Sequence, residues 1–406
     1  MSDGQLLRRQ NLAMVLRDLR ESGPRSRARI ADDTGLNKAT VSSLVAELVA
    51  LGLVREGRVE RGGVGRPGLS VEIDGRVCGL GAEIAAGHIA VLVLDLRGEE
   101  VLRTQTALDV TALGTERTLD ELAAAVTAAI ARARERGRDV AGITVAVPGM
   151  VETAPGIVRH SPGLGWRDVP VAAGLAARLA APGVPVRAAD AAALGALAEY
   201  TAGSCAGVPD LVHVTGDSCL GGGVITGGTL LRGAEGYGGQ IGHLPIGAPA
   251  HRCGCGQRGC WETSIGPAAL LREVADPDDD LTNPALDPRT RLSEIRRRAA
   301  LSDARTLRGL HAIGTSLGLG AAILINLFDP RVITLGGYFA VLGDLLLPAM
   351  EAELDRRAVL PARGGCRVEL STLGFTAACR GGAHAALEAV LTDPTSVPSQ
   401  LSGGAA

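Results

Sequence analysis

The sequence predicts an α/β protein with a small helical unit at its N-terminus and a larger, two-lobed domain behind it. A chain of 406 residues is too long for one ordinary hydrophobic core. Hydrophobic residues make up 46% of the chain and aromatic residues only 2%, while 56 glycines supply turns between strands and helices. Apolar strand patterns alternate with amphipathic helix patterns from residue 79 to about residue 391, which is typical of an α/β domain.

Charge and cysteine content indicate where such a protein works. Residues 1–70 contain 12 Arg and Lys against 8 Asp and Glu, a net charge of +4, whereas the whole chain is at −3. A basic N-terminal piece is expected where one domain meets phosphate groups and the other does not. The strongest apolar run, near residues 318–328, is too short for a membrane span, and the N-terminus lacks a signal core. We therefore expect a cytoplasmic protein whose eight cysteines stay reduced.

Three helices are predicted at the N-terminus. The first ends at the stop signal 22–24, and its buried stripe consists of Leu12, Val15, Leu16 and Leu19. Ser26 can cap a short second helix that Thr34 and Gly35 close, and Asn37 can cap the third. Two short helices joined by a glycine-containing turn are the helix-turn-helix pattern.

The third helix has the properties of a DNA-recognition helix. In a helix-turn-helix the second helix of the pair enters the major groove with its N-terminal side chains at base edges. The residues that we predict to contact DNA from this helix are Asn37, Lys38, Thr40, Ser42 and Ser43. The alternative is a plain three-helix module that binds protein.

A wing is predicted after the third helix. Residues 53–56 and 59–61 have strand patterns, and a glycine-rich segment, 62–68, follows them. Arg66 in that segment is flanked by small residues and can insert into a minor groove. The alternative is a flexible linker with an incidental arginine. The prediction is a winged helix-turn-helix over 1–70 and a linker over 71–78.

The larger domain is predicted over residues 79–391, and a disordered tail over 392–406. Strands at 80–84, at 89–96 and from Val101 onward form a meander. Apolar residues at helical spacing between 119 and 133 predict a helix, and a buried strand over 143–147 leads into the turn Pro148-Gly149.

Several motifs of this domain resemble those of the ROK family (repressor, open reading frame, kinase). They are the turn VPGMV at 147–151, the loop SPGLGW at 161–166, the glycine-rich segment from Gly221 to GQIGH at 239–243, the Cys-x-Cys-Gly-x-x-Gly-Cys-x-Glu signature from Cys253 to Glu262, and the loop LGG at 335–337. The resemblance covers nearly the whole chain. It implies a two-lobed, actin-like and sugar-kinase-like fold with the ligand in the cleft between the lobes. A winged helix ahead of such a domain marks the repressor branch of the family.

A tight cysteine cluster predicts a zinc site. Cys253, Cys255 and Cys260 place three thiolates on a short loop, and His243 lies ten residues upstream, which gives a Cys₃His set suited to tetrahedral Zn²⁺. Four protein ligands leave no position open for water, so the metal is predicted to be structural. His251 is a competing fourth ligand, and the resemblance favours His243. The alternative is a metal-free reduced loop.

The motifs of phosphoryl transfer are incomplete, so we predict that the chain is not an enzyme. Kinases of the family carry Asp-x-Gly-x-Thr where this chain has Glu83 followed by two alanines in place of glycines. Asp217 lies in the loop 215–220, where it would repel an anion. Asp190 matches the catalytic aspartate of the family, but a carboxylate is also a good acceptor for a ligand hydroxyl. The alternative for Asp190 is an N-cap of the helix that follows.

The resemblance implies a sugar-binding site with altered chemistry. Its ligand-binding positions are occupied here by Asp190, Gln240 and Glu262, and His243 could turn its second ring nitrogen toward the cleft. Two asparagines of the family pattern are lost, and Gly163 and Ala189 replace them. An unpaired sugar hydroxyl in a closed cleft costs about 1–3 kcal/mol, so a modified, phosphorylated or amino sugar is a better candidate than a plain hexose.

The leading prediction is a homodimeric or homotetrameric repressor that binds an inverted-repeat DNA operator and responds to a small sugar or sugar derivative. One alternative is a sugar kinase with an accessory DNA module. Another is a regulator that binds DNA independently of any effector.

Overall fold

The computed structural model of the protein describes residues 3–59, 69–180, 183–283 and 286–397. Its N-terminal unit consists of α1 (Asp3–Ser22), β1 (Arg25–Ser26), α2 (Arg27–Thr34), α3 (Lys38–Ala50), β2 (Val54–Val59) and β3 (Leu69–Ile73). The strands form a small antiparallel sheet in the order β1-β3-β2. The three helices and this sheet confirm the predicted helix-turn-helix.

Local capping explains where the N-terminal helices begin and end. The Ser26 hydroxyl accepts a hydrogen bond from the backbone N–H of Arg29 at 3.3 Å, and the Asn37 side chain accepts one from Thr40 N–H at 2.8 Å. Gly35 ends α2 with a φ of 70°, a left-handed conformation that glycine adopts without steric cost. The turn between α2 and α3 is therefore encoded by adjacent residues.

The wing and the linker differ from their predictions. The hairpin was predicted between 53–56 and 59–61, but β2 continues to Val59 and pairs with β3, with Val54 opposite Ile73. The predicted linker begins at residue 71, but residue 71 lies in the middle of strand β3, so a linker at this point is wrong. The sequence of β3 alternates apolar and polar residues, and Val71 and Ile73 are buried against the helices. Residues 60–68, including the predicted contact Arg66, lie outside the described residues.

The first lobe begins at Val77. Its elements are β4 (Val77–Ala85), β5 (His88–Asp95), β6 (Glu100–Ala107), α4 (Val110–Leu113), α5 (Thr115–Glu135), β7 (Asp139–Val147), β8 (Met150–Glu152), β9 (Ile157–Ser161), β10 (Trp166–Val169), α6 (Val171–Ala176), β11 (Val186–Asp190) and α7 (Ala191–Ala202). The main sheet has the order β11-β7-β4-β5-β6, and a small sheet, β10-β9-β8, flanks the cleft. The predicted meander, helix and buried strand are confirmed.

The second lobe follows α7. Its elements are β12 (Leu211–Gly216), β13 (Leu220–Thr226), β14 (Thr229–Leu230), α8 (Glu262–Ile265), α9 (Pro267–Val274), α10 (Pro288–Ala300), α11 (Ala304–Phe328), β15 (Val332–Gly337), α12 (Tyr338–Val341), α13 (Gly343–Arg357), β16 (Arg367–Leu370) and α14 (Ala377–Thr392). Short 3₁₀ turns lie at Ile241–His243, Asp280–Thr282, Pro361–Gly365, Gly374–Thr376 and Pro394–Ser396. The sheet has the order β14-β13-β12-β15-β16.

The two lobes repeat one topology. In each main sheet the first strand pairs antiparallel with a two-strand meander on one side and parallel with a later strand on the other. A fifth strand, β11 or β16, extends the parallel side. This repeat confirms the predicted two-lobed, sugar-kinase-like fold.

Helices α7 and α14 pack on each other between the two sheets. Glycine permits their close approach at two points, because a Cβ added at Gly81 of β4 would overlap the carbonyl oxygen of Cys379. One added at Gly381 of α14 would overlap the carbonyl oxygen of Leu194. These glycines thus set how closely α14 approaches β4 and α7.

Helix α11 is the main core helix of the second lobe. It is longer than the apolar run seen in the sequence, and by length and composition alone it could cross a membrane. Its residues Ile313, Leu317 and Ile325 are fully buried in the core against α9, α13 and the sheet. Burial in the core is the ordinary reason for such a composition in a globular protein.

The N-terminal unit shares a hydrophobic core with the C-terminal helix of the larger domain. Leu12 and Leu16 of α1 belong to the same buried cluster as Leu387 and Val390 of α14. The predicted disordered tail is wrong for residues 392–397, because Thr392 ends α14, Val397 is buried in this cluster and Arg9 forms an ion pair with Asp393. Residues 398–406 lie outside the described residues.

Candidate DNA-binding surface, metal centre and ligand cleft

The first turn of α3 faces solvent. Asn37, Lys38, Ser42 and Ser43 are exposed and Thr40 is partly exposed, while Val41, Leu44, Val45 and Leu48 form the buried stripe. The structure thus presents all five predicted contact residues at or near the helix N-terminus. That end of a helix also attracts phosphate through its free N–H groups.

One basic residue near this surface was missed in the sequence. Arg8 of α1 donates a hydrogen bond to the Ser43 hydroxyl at 3.3 Å and forms an ion pair with Glu47 of α3. The helical spacing of α1 shows Arg8 to be off the buried stripe, but the sequence does not reveal that it crosses to α3. Because Ser43 already has a partner, it is the weakest candidate among the predicted base contacts.

Four side chains form a group that could hold a metal ion. The ligand atoms of His243, Cys253, Cys255 and Cys260 all lie within 4.8 Å of one another. Two of the separations, Cys253 Sγ to His243 Nδ1 and Cys255 Sγ to Cys260 Sγ, are each 3.7 Å. A tetrahedron with Zn–S bonds of about 2.3 Å has edges of about 3.8 Å, so these four atoms fit zinc.

The position of the histidines decides between the two candidates for the fourth ligand. His243 ends a 3₁₀ turn beside the cysteines, whereas His251 is not part of the group. Of the other cysteines, Cys78, Cys205, Cys366 and Cys379 are buried, which is typical of packing residues, and Cys219 lines the cleft.

A cleft lies between the two lobes and is lined by residues of both. The predicted ligand residues Asp190, Gln240, His243 and Glu262 all line it, as does Gly163. The structure therefore brings together the four predicted ligand residues, which are up to 72 positions apart in the sequence, from Asp190 to Glu262. Its walls also include Pro148, Gly149, Pro162, Ala377 and Ala378.

Asp190 is the N-cap of α7, which was one of its two alternatives, and it also lines the cleft. Its Oδ1 accepts a hydrogen bond from Ala193 N–H at 2.9 Å and so caps α7, while Oδ2 accepts one from Gly149 N–H at 3.2 Å. Burial raises the pKa of this carboxyl to about 6, and the backbone hydrogen bonds oppose the shift. Asp190 is therefore a fixed acceptor at the cleft wall.

Glu262 connects the metal group to the cleft. Its Oε2 accepts a hydrogen bond from Cys253 Sγ at 3.2 Å and lies 4.0 Å from His243 Nδ1. The first turn of α8 holds Glu262 in this position, two residues after the last cysteine, Cys260. A metal bound by the four ligands would thus fix the loop that carries a cleft carboxylate.

Two further polar residues of the cleft were not selected from the sequence. Ser161 is only 1% exposed, and its hydroxyl has no hydrogen-bond partner among the described residues. His213 donates to or accepts from Thr334 at 2.9 Å, and burial lowers its pKa to about 4, so it is neutral at pH 7. Ser161 belongs to the loop motif SPGLGW at 161–166. The sequence does not show that its hydroxyl is buried at the cleft wall without a partner among the described residues.

The segments that correspond to the kinase phosphate loops are acidic. Glu83 and Asp217 both line the cleft, and the Thr215 hydroxyl donates a hydrogen bond to Asp217 Oδ2 at 2.9 Å. Burial and the charge of Asp217 raise the pKa of Glu83 to about 8. Among the described residues that line the cleft there is no Lys or Arg, so a triphosphate would meet repulsion here.

Fold and sites together define a helix-turn-helix protein that carries a sugar-kinase-like domain with a ligand cleft. The chain belongs to the ROK family, whose profile matches residues 79–389. The profile of the IclR helix-turn-helix domain matches residues 10–58. Both results confirm the predicted family and fold.

Curated relatives span nearly the whole chain. The xylose repressor of Bacillus subtilis (strain 168) is 27% identical over 382 residues, which is 94% of this chain and 96% of the relative. The DNA-binding transcriptional dual regulator NagC of Escherichia coli (strain K12) is 26% identical over 391 residues, 92% of this chain and 91% of the relative. Their names agree with the prediction of a regulator and not an enzyme.

Two solved structures are similar to the protein. The first is a ROK family transcriptional regulator described as a homolog of the E. coli MLC protein. It has a TM-score of 0.80 at 24% identity, and the match covers 98% of this chain and 100% of that structure's chain. The second, a ROK family glucokinase from Streptomyces griseus in complex with glucose and AMPPNP, has a TM-score of 0.63 at 27% identity. It covers 77% of this chain and 99% of its own. The likeness to the regulator structure supports the fold over 98% of the chain.

Proposed function

We propose that the protein is a cytoplasmic transcriptional repressor that binds operator DNA through α3 and responds to a sugar or sugar derivative in the cleft. The main observation that supports the proposal is that α14 extends from the cleft to helix α1. Its first residues, Ala377 and Ala378, line the cleft, and its last turns hold α1 through Leu387 and an ion pair between Glu388 and Arg17. One helix thus contacts both the ligand site and the DNA-binding unit.

This helix offers a route for regulation. A ligand that closes the lobes on each other shifts α14, because α14 packs on β4 and β7 of the first lobe and on α7 between the lobes. Since α1 shares a core with α14, such a shift changes the position of the recognition helix. Effector binding and operator binding are then coupled through two states of one packed element.

The DNA contact is proposed to be symmetric. A homodimer or homotetramer would present two copies of α3 to successive major grooves of an inverted repeat. Lys38, Thr40 and Ser42 would reach base edges or phosphates, and Asn37 holds the helix start. Arg66 would enter the adjacent minor groove.

The effector is proposed to be a modified sugar. Asp190, Gln240 and Glu262 supply acceptors and one amide, and the unpartnered hydroxyl of Ser161 supplies a donor. The similarity to a relative named for xylose supports the sugar class. Gly163 and the buried Ala189 contribute no side-chain amide where the family pattern has asparagine, which disfavours an unmodified hexose.

The metal site is proposed to hold structural zinc. His243, Cys253, Cys255 and Cys260 would complete a tetrahedral shell with no position for water, so the ion would stabilise the loop and supply no catalysis. The loop has few buried apolar side chains of its own, and metal binding would replace them as its source of stability.

Selection of genomic DNA fragments by the purified full chain tests the proposal. We expect specific fragments that contain an inverted repeat to be retained over random competitor at physiological salt, and a library of sugars to include at least one that releases them. No preference for any fragment would overturn the assignment as a repressor. Turnover of ATP with any sugar of the library would favour the kinase alternative, and an operator affinity unchanged by the whole library would favour effector-independent binding.

A further inference from the structure

Two carboxyl groups, those of Glu83 and Asp217, line the end of the cleft that is formed by β4 and the turn after β12. Glu83 is only 8% exposed, and its Oε2 has no hydrogen-bond partner among the described residues. Asp217 is exposed at the cleft rim and oriented by the Thr215 hydroxyl. A buried carboxylate oxygen without a partner is costly, so its persistence in the cleft wall points to a ligand that satisfies it.

The charge of the whole cleft favours a cation. Four carboxyl groups line it, those of Glu83, Asp190, Asp217 and Glu262, and no Lys or Arg among the described lining residues balances them. The walls near Glu83 are otherwise apolar, with Ile84 and Ala85 from the first lobe. A cation that enters such a site loses water but gains interactions that are little screened.

We propose that Glu83 and Asp217 form a subsite for a protonated primary amine of the effector. The inference rests on the proposed function, since it assumes that an effector occupies the cleft. A primary ammonium has three N–H donors, and the two carboxyl groups and the lone pairs of the Thr215 hydroxyl provide three acceptors. Burial and the charge of Asp217 hold the pKa of Glu83 at about 8 in the empty cleft, and a bound cation would lower that pKa and favour the carboxylate form that accepts the hydrogen bond.

An amine fits this subsite better than a metal ion. Mg²⁺ and Ca²⁺ require six or more oxygen ligands, and two carboxylates with one hydroxyl supply too few from the protein. Among the described residues, one group of His, Cys and acidic side chains has the spacing of a metal site. It consists of His243 and the three cysteines. The Glu83 pair is separate from that group.

The same subsite excludes phosphorylated ligands. A phosphate group placed between Glu83 and Asp217 would bring two further negative charges beside two carboxyl groups. The sequence left phosphorylated and amino sugars as alternatives for the effector. The carboxylate pair favours the amino sugar.

A matched pair of small probes tests the charge requirement on the full chain. Binding of 1,4-diaminobutane and of butane-1,4-diol is measured by calorimetry and by the shift in Tm, at equal ionic strength. We expect the diamine to bind and raise Tm, and the diol, which has nearly the same shape without charge, to do neither. We expect Glu83→Gln and Asp217→Asn each to weaken diamine binding about tenfold or more, as loss of a charged hydrogen-bond partner does.

Controls separate this inference from the proposed function. Glu121→Gln removes an exposed carboxylate of α5 that does not line the cleft and should leave diamine binding unchanged. Asp217→Asn keeps the test valid if Glu83→Gln fails to fold, since Asp217 is exposed. Equal binding of diol and diamine, full binding in both variants, or equal protection by Mg²⁺ would each overturn the amine subsite. Operator selection by the same preparation is measured in parallel. If no operator is selected, the proposed function is contradicted. If an operator is selected but the diamine does not bind, only the amine subsite is contradicted.

Discussion

Protonation of His384 should loosen the contact between the DNA-binding unit and the larger domain. This histidine lies in α14 and is only 4% exposed. Its Nδ1 is 3.3 Å from Nη2 of Arg20 in α1, and because arginine can only donate, Nδ1 must be unprotonated. Its Nε2 is buried without a partner among the described residues. Burial, reinforced by the charges of Arg20 and Arg380, lowers the pKa of His384 to about 3.

The sign and size of the effect follow from the difference between folded and unfolded pKa. The folded protein binds this proton more weakly than the unfolded chain, whose histidine has a pKa of 6.5. The full stability is therefore present above about pH 6.5 and is lost as the pH falls toward the folded pKa. A pH of about 5 lies about 1.5 units below the pKa of the unfolded histidine, so the unfolded chain binds the proton and the folded protein does not. This difference lowers the free energy of unfolding by about 2 kcal/mol.

The assay compares the free energy of unfolding at about pH 7.5 and about pH 5 in urea titrations of the wild type and of His384→Asn. Asparagine keeps an acceptor for Arg20 and removes the titration, so the variant should lose about 2 kcal/mol less on acidification than the wild type. The pKa of His213 is also lowered, to about 4, but it acts equally in both proteins. His311→Asn, at an exposed position of α11, is the control and should behave as the wild type. An identical pH dependence in wild type and His384→Asn would refute the reasoning.

Three further predictions concern DNA, metal and packing. Lys38→Ala should weaken operator binding about tenfold, with a smaller dependence on salt and an unchanged Tm, in fluorescence anisotropy titrations; unchanged affinity would contradict the assigned contact. Cys255→Ser should abolish bound zinc in metal analysis and lower Tm, whereas Cys366→Ser should retain the metal; zinc absent from the wild type would end this claim. Gly81→Ala should destabilise the protein by about 3 kcal/mol in urea titrations, because its Cβ would overlap a backbone carbonyl, while Gly87→Ala, with open space around it, should be nearly neutral. Equal stability of the two alanine variants would show that α14 is free to shift.

Sequence reasoning succeeded where the interacting residues are close together in the chain. The caps at Ser26 and Asn37 act over three residues, and the cysteines of the metal group lie within eight positions. The second half of the wing hairpin was missed, because β3 pairs with β2 across residues 60–68 and its pattern is too short to stand out. The ordered segment 393–397 was missed because α1, at the other end of the chain, covers it.

The sequence by itself predicted three classes of site in this protein: a DNA-recognition helix, a cysteine-rich metal group and a sugar-binding cleft with altered residues. These depend on residue types and local spacing, which the chain carries whatever its tertiary contacts are. Only the tertiary structure decided that His243 and not His251 joins the cysteines, that Glu83 is a buried carboxylate without a partner, and that α14 connects the cleft to α1. Burial and contact between distant segments follow from how both lobes pack, and no single stretch of sequence contains that information.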